Sequence, residues 1–264
     1  FVAKGADRAG YWLHRLPRGA AKPVSTGIGP LANAKVSDQG AIAFLGPEIS
    51  NRCATLALLQ QGQRTPAAYI PEVCDFDFGP NNKLMIVRRE EANRLLEYPP
   101  GFVLAKSDTP LLAFRQVRVS PDGRWIAHWE WSAEKWKLIL RDTRQASAAT
   151  RTLVAGESYP GLFCWSKKSD RLFLQSLAAG GTYVLETVSL DGRRAAMYES
   201  PDSSLVPVAE RGDGSLVVTE ERNDFRMMVG EAGSPADGTS DRELSWLRGS
   251  VLTHISLDGK WAMG

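Results

Sequence analysis

The sequence repeats a short turn motif six times at nearly constant spacing, and this repetition limits the possible fold more than any other feature. Each copy is an apolar run, a polar turn built on Ser-x-Asp-Gly or a variant of it, and a second apolar run. The copies are VSDQGAIAFL (36–45), FGPNNKLMIV (78–87), VSPDGRWIAH (119–128), WSKKSDRLFL (165–174), RGDGSLVVTE (211–220) and ISLDGKWAMG (255–264). Successive turn positions, namely Gly40, Asn82, Gly123, Asp170, Gly214 and Gly259, are 42, 41, 47, 44 and 45 residues apart.

A period of about 40 to 45 residues is typical of a four-stranded propeller blade. The turn chemistry agrees with this, because Asp and Asn side chains bond nearby backbone donors and Gly accepts a positive φ. The residues that follow each turn are β-branched, aromatic or aliphatic, as strands prefer. We therefore predict an all-β fold, a β-propeller of four-stranded antiparallel blades. The predicted number of blades is six, with seven as the alternative.

The whole chain, 1–264, is predicted to be one propeller domain. Five complete blades are expected at 31–71, 72–111, 112–157, 158–203 and 204–249, and a sixth would join 1–30 to 250–264. The first and last residues are Phe1 and Gly264, and the last lies within a predicted strand. We expect the sequence to be part of a longer protein. The turn of the Trp165 unit is expected to hold one extra residue.

Bulk composition excludes several classes of function. The net charge is +2, from 32 basic and 30 acidic residues, which does not favour a nucleic-acid partner. No apolar run reaches about 20 residues, so no membrane insertion is expected. The three cysteines, Cys53, Cys74 and Cys164, lack metal-ligand spacing. One pair could form a disulfide, but three buried free thiols are the favoured interpretation.

The motifs VSPDGRWIAHW, FCWSKKSDRLFL and ISLDGKWAMG resemble the WD40-like repeats of bacterial TolB-type propellers. The stretch YWLHRLPRGAAKPVSTG is similar to the third and fourth strands of that family's blades. The resemblance covers nearly the whole chain and implies a fold rather than one function. Such blades occur in TolB, in sensor regions attached to bacterial serine/threonine kinases, and in the propeller that gates prolyl-oligopeptidase-type enzymes. It also implies a periplasmic or other extracytoplasmic location.

A search for catalytic motifs yields no constellation. The three histidines, His14, His128 and His254, lie in different repeats, which does not fit a metal site. There is no GxSxG elbow, no P-loop and no HExxH in the sequence. We therefore predict that this chain is not an enzyme, and we predict no catalytic residue, metal or cofactor.

The innermost strand of each blade supplies the first group of candidate binding residues. In VRVSPDG, Val117 and Val119 are expected to pack between blades, with Arg118 pointing the other way. The aligned positions in the other blades are polar in three further cases. The hypothesis is a polar ring in the central channel that binds a small anionic or peptide-end group, formed by Lys35, Asp77, Arg118 and His254. The alternative is a set of charges that pair with one another.

The second group of candidates is aromatic. Trp129, Trp131 and Trp136 cluster around one hairpin, in WEWSAEKW. Because an outer hairpin cannot bury both of its apolar faces, at least one of the three is predicted to be exposed. Exposed Trp is enriched at interaction hot spots. The competing interpretation is cross-strand Trp pairing that stabilises the hairpin.

Taken together, the residues favour a non-catalytic binding, sensor or scaffold module within a larger bacterial protein. Its partner would be a protein or peptide that docks on the loop-rich face. The alternative is the gating propeller of a prolyl-oligopeptidase-type serine peptidase whose hydrolase domain lies outside this sequence. An attached kinase or peptidase domain would distinguish the two.

Overall fold

The structure is a computed structural model. It describes residues 33–46, 53–61, 63, 65–107, 114–132, 134–144, 150–156, 161–178, 181–201 and 203–222, together with the backbone of seven short strands outside these ranges. The described residues form β-strands joined by turns, and their one helical segment is a 3-10 turn, Pro80–Asn82. None of the helices in this part of the chain is long and apolar enough to cross a membrane.

The first three strands form a small antiparallel sheet, and the next seven form a larger one. The small sheet consists of β1 (Val2–Lys4), β2 (Tyr11–Leu13) and β3 (Lys22–Val24). The larger sheet consists of β4 (Asn33–Val36), β5 (Ile42–Leu45), β6 (Ala54–Leu59), β7 (Ala68–Phe78), β8 (Leu84–Glu90), β9 (Asn93–Glu97) and β10 (Val103–Ser107), each paired with the next.

The large sheet is two four-stranded units that share strand β7. The first part of β7 pairs with β6 as far as Val73, and the second part pairs with β8 from Val73 to Phe78. The strand bends at Glu72, whose φ is 60°. Blade 1 therefore consists of β4, β5, β6 and the start of β7, and blade 2 of the rest of β7 with β8, β9 and β10. No loop separates the two units at the predicted boundary between 71 and 72.

Two further units are four-stranded antiparallel meanders. Blade 3 consists of β11 (Arg115–Val119), β12 (Trp125–Ser132), β13 (Lys135–Asp142) and β14 (Arg151–Gly156). Blade 4 consists of β15 (Phe163–Trp165), β16 (Arg171–Leu177), β17 (Tyr183–Ser189) and β18 (Arg194–Ser200).

The last six strands form three antiparallel pairs. Blade 5 begins with β19 (Ser203–Glu210) and β20 (Leu216–Arg222). The pairs that follow are β21 (Met228–Val229) with β22 (Arg242–Glu243), and β23 (His254–Ile255) with β24 (Ala262–Met263).

Successive first strands lie side by side, as they do around the axis of a propeller. Strand β4 contacts β7, β7 contacts β11, β11 contacts β15, and β15 contacts β19. Each blade thus contributes its first strand to the centre, while its later strands extend outward. The all-β prediction and the four-stranded antiparallel units are confirmed.

The core lies in the seams between neighbouring blades. Because side chains alternate along a strand, adjacent residues of one strand belong to different seams. Ile86 packs with Phe76 between blades 1 and 2, whereas its neighbour Met85 packs with Ile126 between blades 2 and 3. The seam between blades 3 and 4 buries the largest side chains, including Trp129 and Phe163.

The repeated motif is a turn that its own side chains stabilise. In blade 3, the Ser120 hydroxyl accepts a hydrogen bond from the Trp125 N–H at 2.9 Å and donates to Asp122. Gly123 closes the turn with a φ of 72°, and its N–H donates to the Ser120 carbonyl. The Ser-x-Asp-Gly motif therefore forms a turn between two strands, as the sequence predicted.

The blade 4 turn has the same length as the blade 3 turn and one residue more than the turns of blades 1, 2 and 5. The expected extra residue is therefore present relative to those three blades, and blade 3 shares it. Ser169 takes the glycine position, with a φ of 59° and an N–H bonded to the Ser166 carbonyl. The Ser166 N–H bonds the Arg171 carbonyl five residues on, as Ser120 does with Trp125. The prediction of Asp170 at the turn position is wrong, because Ser169 occupies it.

One cysteine prediction is wrong. Cys53 and Cys74 form a disulfide, and among the three cysteines only Cys164 is a buried free thiol. Cys53 directly precedes β6 and Cys74 lies in β7, beside the paired residues Ala54 and Val73. A sequence separation of 21 residues gave no sign of this pairing.

The turn of blade 3 also packs on blade 2, which gives a matched pair of variants. A Cβ added to Gly123 would lie 2.8 Å from the Pro80 side chain, whereas one added to Gly214, with a φ of 83°, would meet nothing within 4 Å. We expect Gly214→Ala to cost about 1 kcal/mol through its φ alone. Gly123→Ala should cost about 1 to 3 kcal/mol more, because crowding is added. Chemical denaturation measures both, and equal losses would show that the contact with Pro80 is unimportant.

Candidate functional site

Three of the four predicted channel residues lie at equivalent positions on successive first strands. Lys35 pairs with Ala43, Asp77 with Met85 and Arg118 with Ala127. In each case the partner faces the seam with the following blade. The three side chains therefore point towards the next first strand and are all partly buried. His254 lies in β23, but its side chain is outside the described residues.

Lys35 and Asp77 pair with each other. The Lys35 Nζ lies 3.2 Å from the Asp77 Oδ1, and the two side chains are 16% and 15% exposed. The ammonium also donates to the Phe76 carbonyl and lies over the Phe76 ring. Burial lowers the pKa of Lys35, and the positive charge of Arg118 lowers it further, while Asp77 opposes both. This is the charge pairing that the sequence offered as the alternative to a ligand ring.

Asp77 also ties blade 2 to blade 3. Its Oδ2 accepts a hydrogen bond from the Val119 N–H at 2.8 Å, and the Asp75 Oδ2 accepts one from the Val117 N–H at 3.1 Å. Because Ser120 donates its N–H to β12, the N–H groups of Val117 and Val119 point to the opposite edge of β11. The two carboxylates satisfy donors that no strand covers.

Asp75 was missed by the sequence reasoning. The signal was present as Asp-x-Asp in CDFD, because residues two apart share one face of a strand. Aligning one position per blade selected Asp77 and concealed its neighbour.

Arg118 is the cation of this cluster that lacks a carboxylate partner among the described residues. Its guanidinium donates to the carbonyl of Val117 at 2.9 Å, and its own carbonyl accepts the Trp165 indole N–H at 3.1 Å. The aligned residue in blade 4 is Cys164, which is buried. Burial raises the pKa of the Cys164 thiol to about 12, although Arg118 opposes the shift. This thiol stays protonated at neutral pH.

Two of the three hairpin tryptophans are buried, which corrects their prediction as exposed aromatics. Trp129 is 0% exposed and Trp136 is 8% exposed. The reason is that blade 3 lies between two other blades, so both faces of its hairpin are covered. The Trp129 ring meets Phe163 of blade 4 edge-on, with centroids 6.2 Å apart.

Trp131 is the partly exposed member of the three. It is paired across the hairpin with Trp136, and the rings meet edge-on with centroids 5.4 Å apart. The guanidinium of Arg115, at the same end of the blade, lies 6.0 Å from the Trp136 ring centroid. We call Arg115, Trp131 and Trp136 the blade 3 rim. The cross-strand pairing interpretation is correct, and it leaves one indole partly open to solvent.

His128 is buried between blades. It is 0% exposed, and neither ring nitrogen has a hydrogen-bond partner in the part of the chain that the structure describes. The Phe114 ring meets it edge-on at 5.1 Å. Burial lowers the pKa of His128 to about 3, and the positive charge of Arg141 contributes.

One prediction concerns the hydrogen bonds and the ion pair by which Asp77 links neighbouring blades. We expect Asp77→Ala to lower the free energy of unfolding by about 2 to 4 kcal/mol, because it leaves a buried Lys35 and the Val119 N–H unpaired. The control is Asp38→Ala in an exposed turn, which should cost no more than about 0.5 kcal/mol. Urea denaturation measures both variants. If Asp77→Ala lost as little free energy of unfolding as Asp38→Ala, Asp77 would not stabilise the contact between the blades.

Another prediction concerns the pH dependence of stability. The pKa of His128 is about 3 in the fold and about 6.5 when unfolded, so the unfolded chain binds the extra proton as the pH falls through 6.5. This group should cost about 3 kcal/mol of stability between pH 7 and pH 4. His128→Leu should remove that part of the pH dependence. In an NMR titration, the His128 ring signal should not shift above pH 4.5. A midpoint near 6.5 would refute the prediction.

No family model matches the chain, and no curated protein matches it either. Solved structures do match. A TolB-type protein from Agrobacterium tumefaciens superposes with a TM-score of 0.61 at 14% sequence identity, covering 82% of this chain and 84% of that one. TolB from Acinetobacter baumannii gives 0.54 at 12% identity, covering 81% and 57%.

A third match comes from a protein with another name. A 6-phosphogluconolactonase-type protein from Bacteroides uniformis gives a TM-score of 0.54 at 13% identity, covering 99% of this chain and 86% of that one. At these identities the similarity shows the fold alone. The chain has a TolB-like β-propeller fold.

Proposed function

We propose that this propeller is a non-catalytic binding module that takes a protein or peptide partner on the blade 3 rim. The observation that carries the proposal is the partly exposed Trp131, held edge-on against Trp136 beside Arg115. Trp and Arg are the residues most enriched at interaction hot spots. The module would serve as a sensor or scaffold in a larger bacterial protein.

The packing of the rim suits recognition. Trp136 is buried and belongs to the seam between blades 3 and 4, so Trp131 rests on a fixed base. A side chain that is already ordered loses little conformational entropy when a partner covers it. Binding would then add the apolar area of an indole to the interface without rearranging the blade.

Two side chains with strongly perturbed acid–base properties support a non-catalytic interpretation. His128 and Cys164 have strongly shifted pKa values, and both are buried in seams between blades. A general base or nucleophile must reach the substrate. These two side chains are instead enclosed by packed strands.

The channel site predicted from the sequence remains a proposal, but the roles of its residues change. Lys35 and Asp77 already pair with each other, so Arg118 becomes the residue that we propose contacts an anionic or chain-end group of the partner. His254 keeps its place in this proposal as a residue of the channel.

The proposal can be tested with peptides selected on the immobilised propeller from a random displayed library. Selected peptides, dye-labelled and titrated by fluorescence anisotropy, should bind wild type and lose at least tenfold in affinity on Trp131→Ala. Arg115→Ala should also weaken them. The matched control is Trp125→Ala, because Trp125 is also partly buried on β12, stacks on Arg124, and lies at the opposite end of the strand.

Each outcome decides one part of the proposal. Equal affinity for Trp131→Ala and wild type would place the site elsewhere than the blade 3 rim. Failure to enrich any peptide over an unrelated immobilised protein would refute peptide binding. An unchanged affinity on Arg118→Met would remove the channel contact while leaving the rim intact.

A further inference from the structure

The disulfide lies where the chain passes from blade 1 to blade 2. Cys53 precedes the first residue of β6, which belongs to blade 1. Cys74 follows Val73, the residue at which β7 changes its pairing partner from β6 to β8. Cys74 also packs against the core cluster between blades 2 and 3. The bond therefore joins the third strand of one blade to the first strand of the next.

The connection between the two blades is strand β7 itself. No loop separates the two halves of β7, and the bend is made by Glu72 with a φ of 60°. A positive φ is unfavourable for a residue with a Cβ. Glu72 forms an ion pair with Arg89 of β8, and the two side chains are 37% and 20% exposed.

We propose that the Cys53–Cys74 disulfide is a redox-sensitive tie that fastens blade 1 to blade 2, and that the propeller reaches its full stability only in an oxidising compartment. Forming the bond removes two electrons and two protons from the pair of thiols. A disulfide oxidant accepts them and becomes a dithiol. A dithiol reductant reverses the step, restoring two S–H groups and becoming a disulfide itself.

The difference in exposure between the two cysteines decides which sulfur atom an incoming thiolate attacks. Cys53 is 1% exposed, whereas Cys74 is partly exposed, so an incoming thiolate would attack the Cys74 sulfur and release Cys53. The third cysteine does not compete. Cys164 is 6% exposed on β15, and the raised pKa of its thiol keeps it protonated at neutral pH.

The first test counts free thiols in the protein as it is made in cells. Cells expressing the full chain in an oxidising compartment are quenched in acid, and the denatured protein is labelled with N-ethylmaleimide before and after reduction. The expected intact masses show one label before reduction and three labels after it. Three labels before reduction would overturn the proposal.

The second test measures what the bond does. Reduction with a dithiol should lower the unfolding midpoint of wild type by about 6 to 12 °C. The double variant Cys53→Ser, Cys74→Ser should have the lowered midpoint with or without reductant. Cys164→Ser is the matched control and should keep the response of wild type to reductant. A wild-type midpoint that reductant does not change would overturn the proposal.

A third measurement locates the effect. In hydrogen exchange, reduction should speed exchange most in β6 and β7 and least in β16 and β17 of blade 4. The same pattern should appear in the double variant. Exchange that rises equally in all blades would show that the bond does not act as a local tie. The blade 3 rim is not involved in this test, so its failure would not affect the proposed binding function.

Discussion

The apolar faces of a four-stranded blade can be covered only by other blades, and the rest of the structure depends on this constraint. Met85 and Ile86 are neighbours in β8 and both are fully buried, yet they pack in different seams. A blade removed from its neighbours would expose both. Burying one such side chain contributes roughly 1.5 to 3 kcal/mol, so each seam supplies much of the stability of the two blades it joins. The repeat therefore exists because no single unit can bury its own faces.

The same arrangement leaves backbone hydrogen-bonding groups without a strand partner at the centre. Each first strand pairs with the second strand of its own blade, and its other edge has no strand partner in the blade. In β11 that edge presents the N–H groups of Val117 and Val119. A buried N–H group without a hydrogen-bond partner costs free energy. Asp75 and Asp77 satisfy both. The carboxylates are balanced in turn by Lys35, which shows why charged residues on first strands can be structural.

How far the sequence predicts this structure depends on the range over which each feature is encoded. The turns are local, since the serine, aspartate and glycine that form them lie within four residues, and they were predicted. The seam contacts join residues such as Asp77 and Val119 that are 42 positions apart. A repeat identifies their period but not their chemistry, so Asp75 was missed and Asp77 was assigned to a ligand site.

The predicted exposure of the hairpin tryptophans was partly wrong for a related reason. An outer hairpin with only one covered face would leave a tryptophan exposed, as predicted from the sequence. In the structure both faces of β12 are covered, by blade 2 and by blade 4, so Trp129 is enclosed. Only the end of the hairpin emerges from the seams, and Trp131 lies there. The partial exposure follows from position along the strand rather than from the choice of face.

The division between seam and rim has a consequence for how such a protein could evolve a binding site. Residues in the seams contact two blades at once, so His128 or Trp129 cannot change without disturbing packing on both sides. Residues at the strand ends contact one blade and solvent. Trp131 can change with little effect on the fold, because its partner Trp136 remains anchored in the core. Recognition is thus expected at the ends of the strands, where the sequence is free to vary while the seams stay intact.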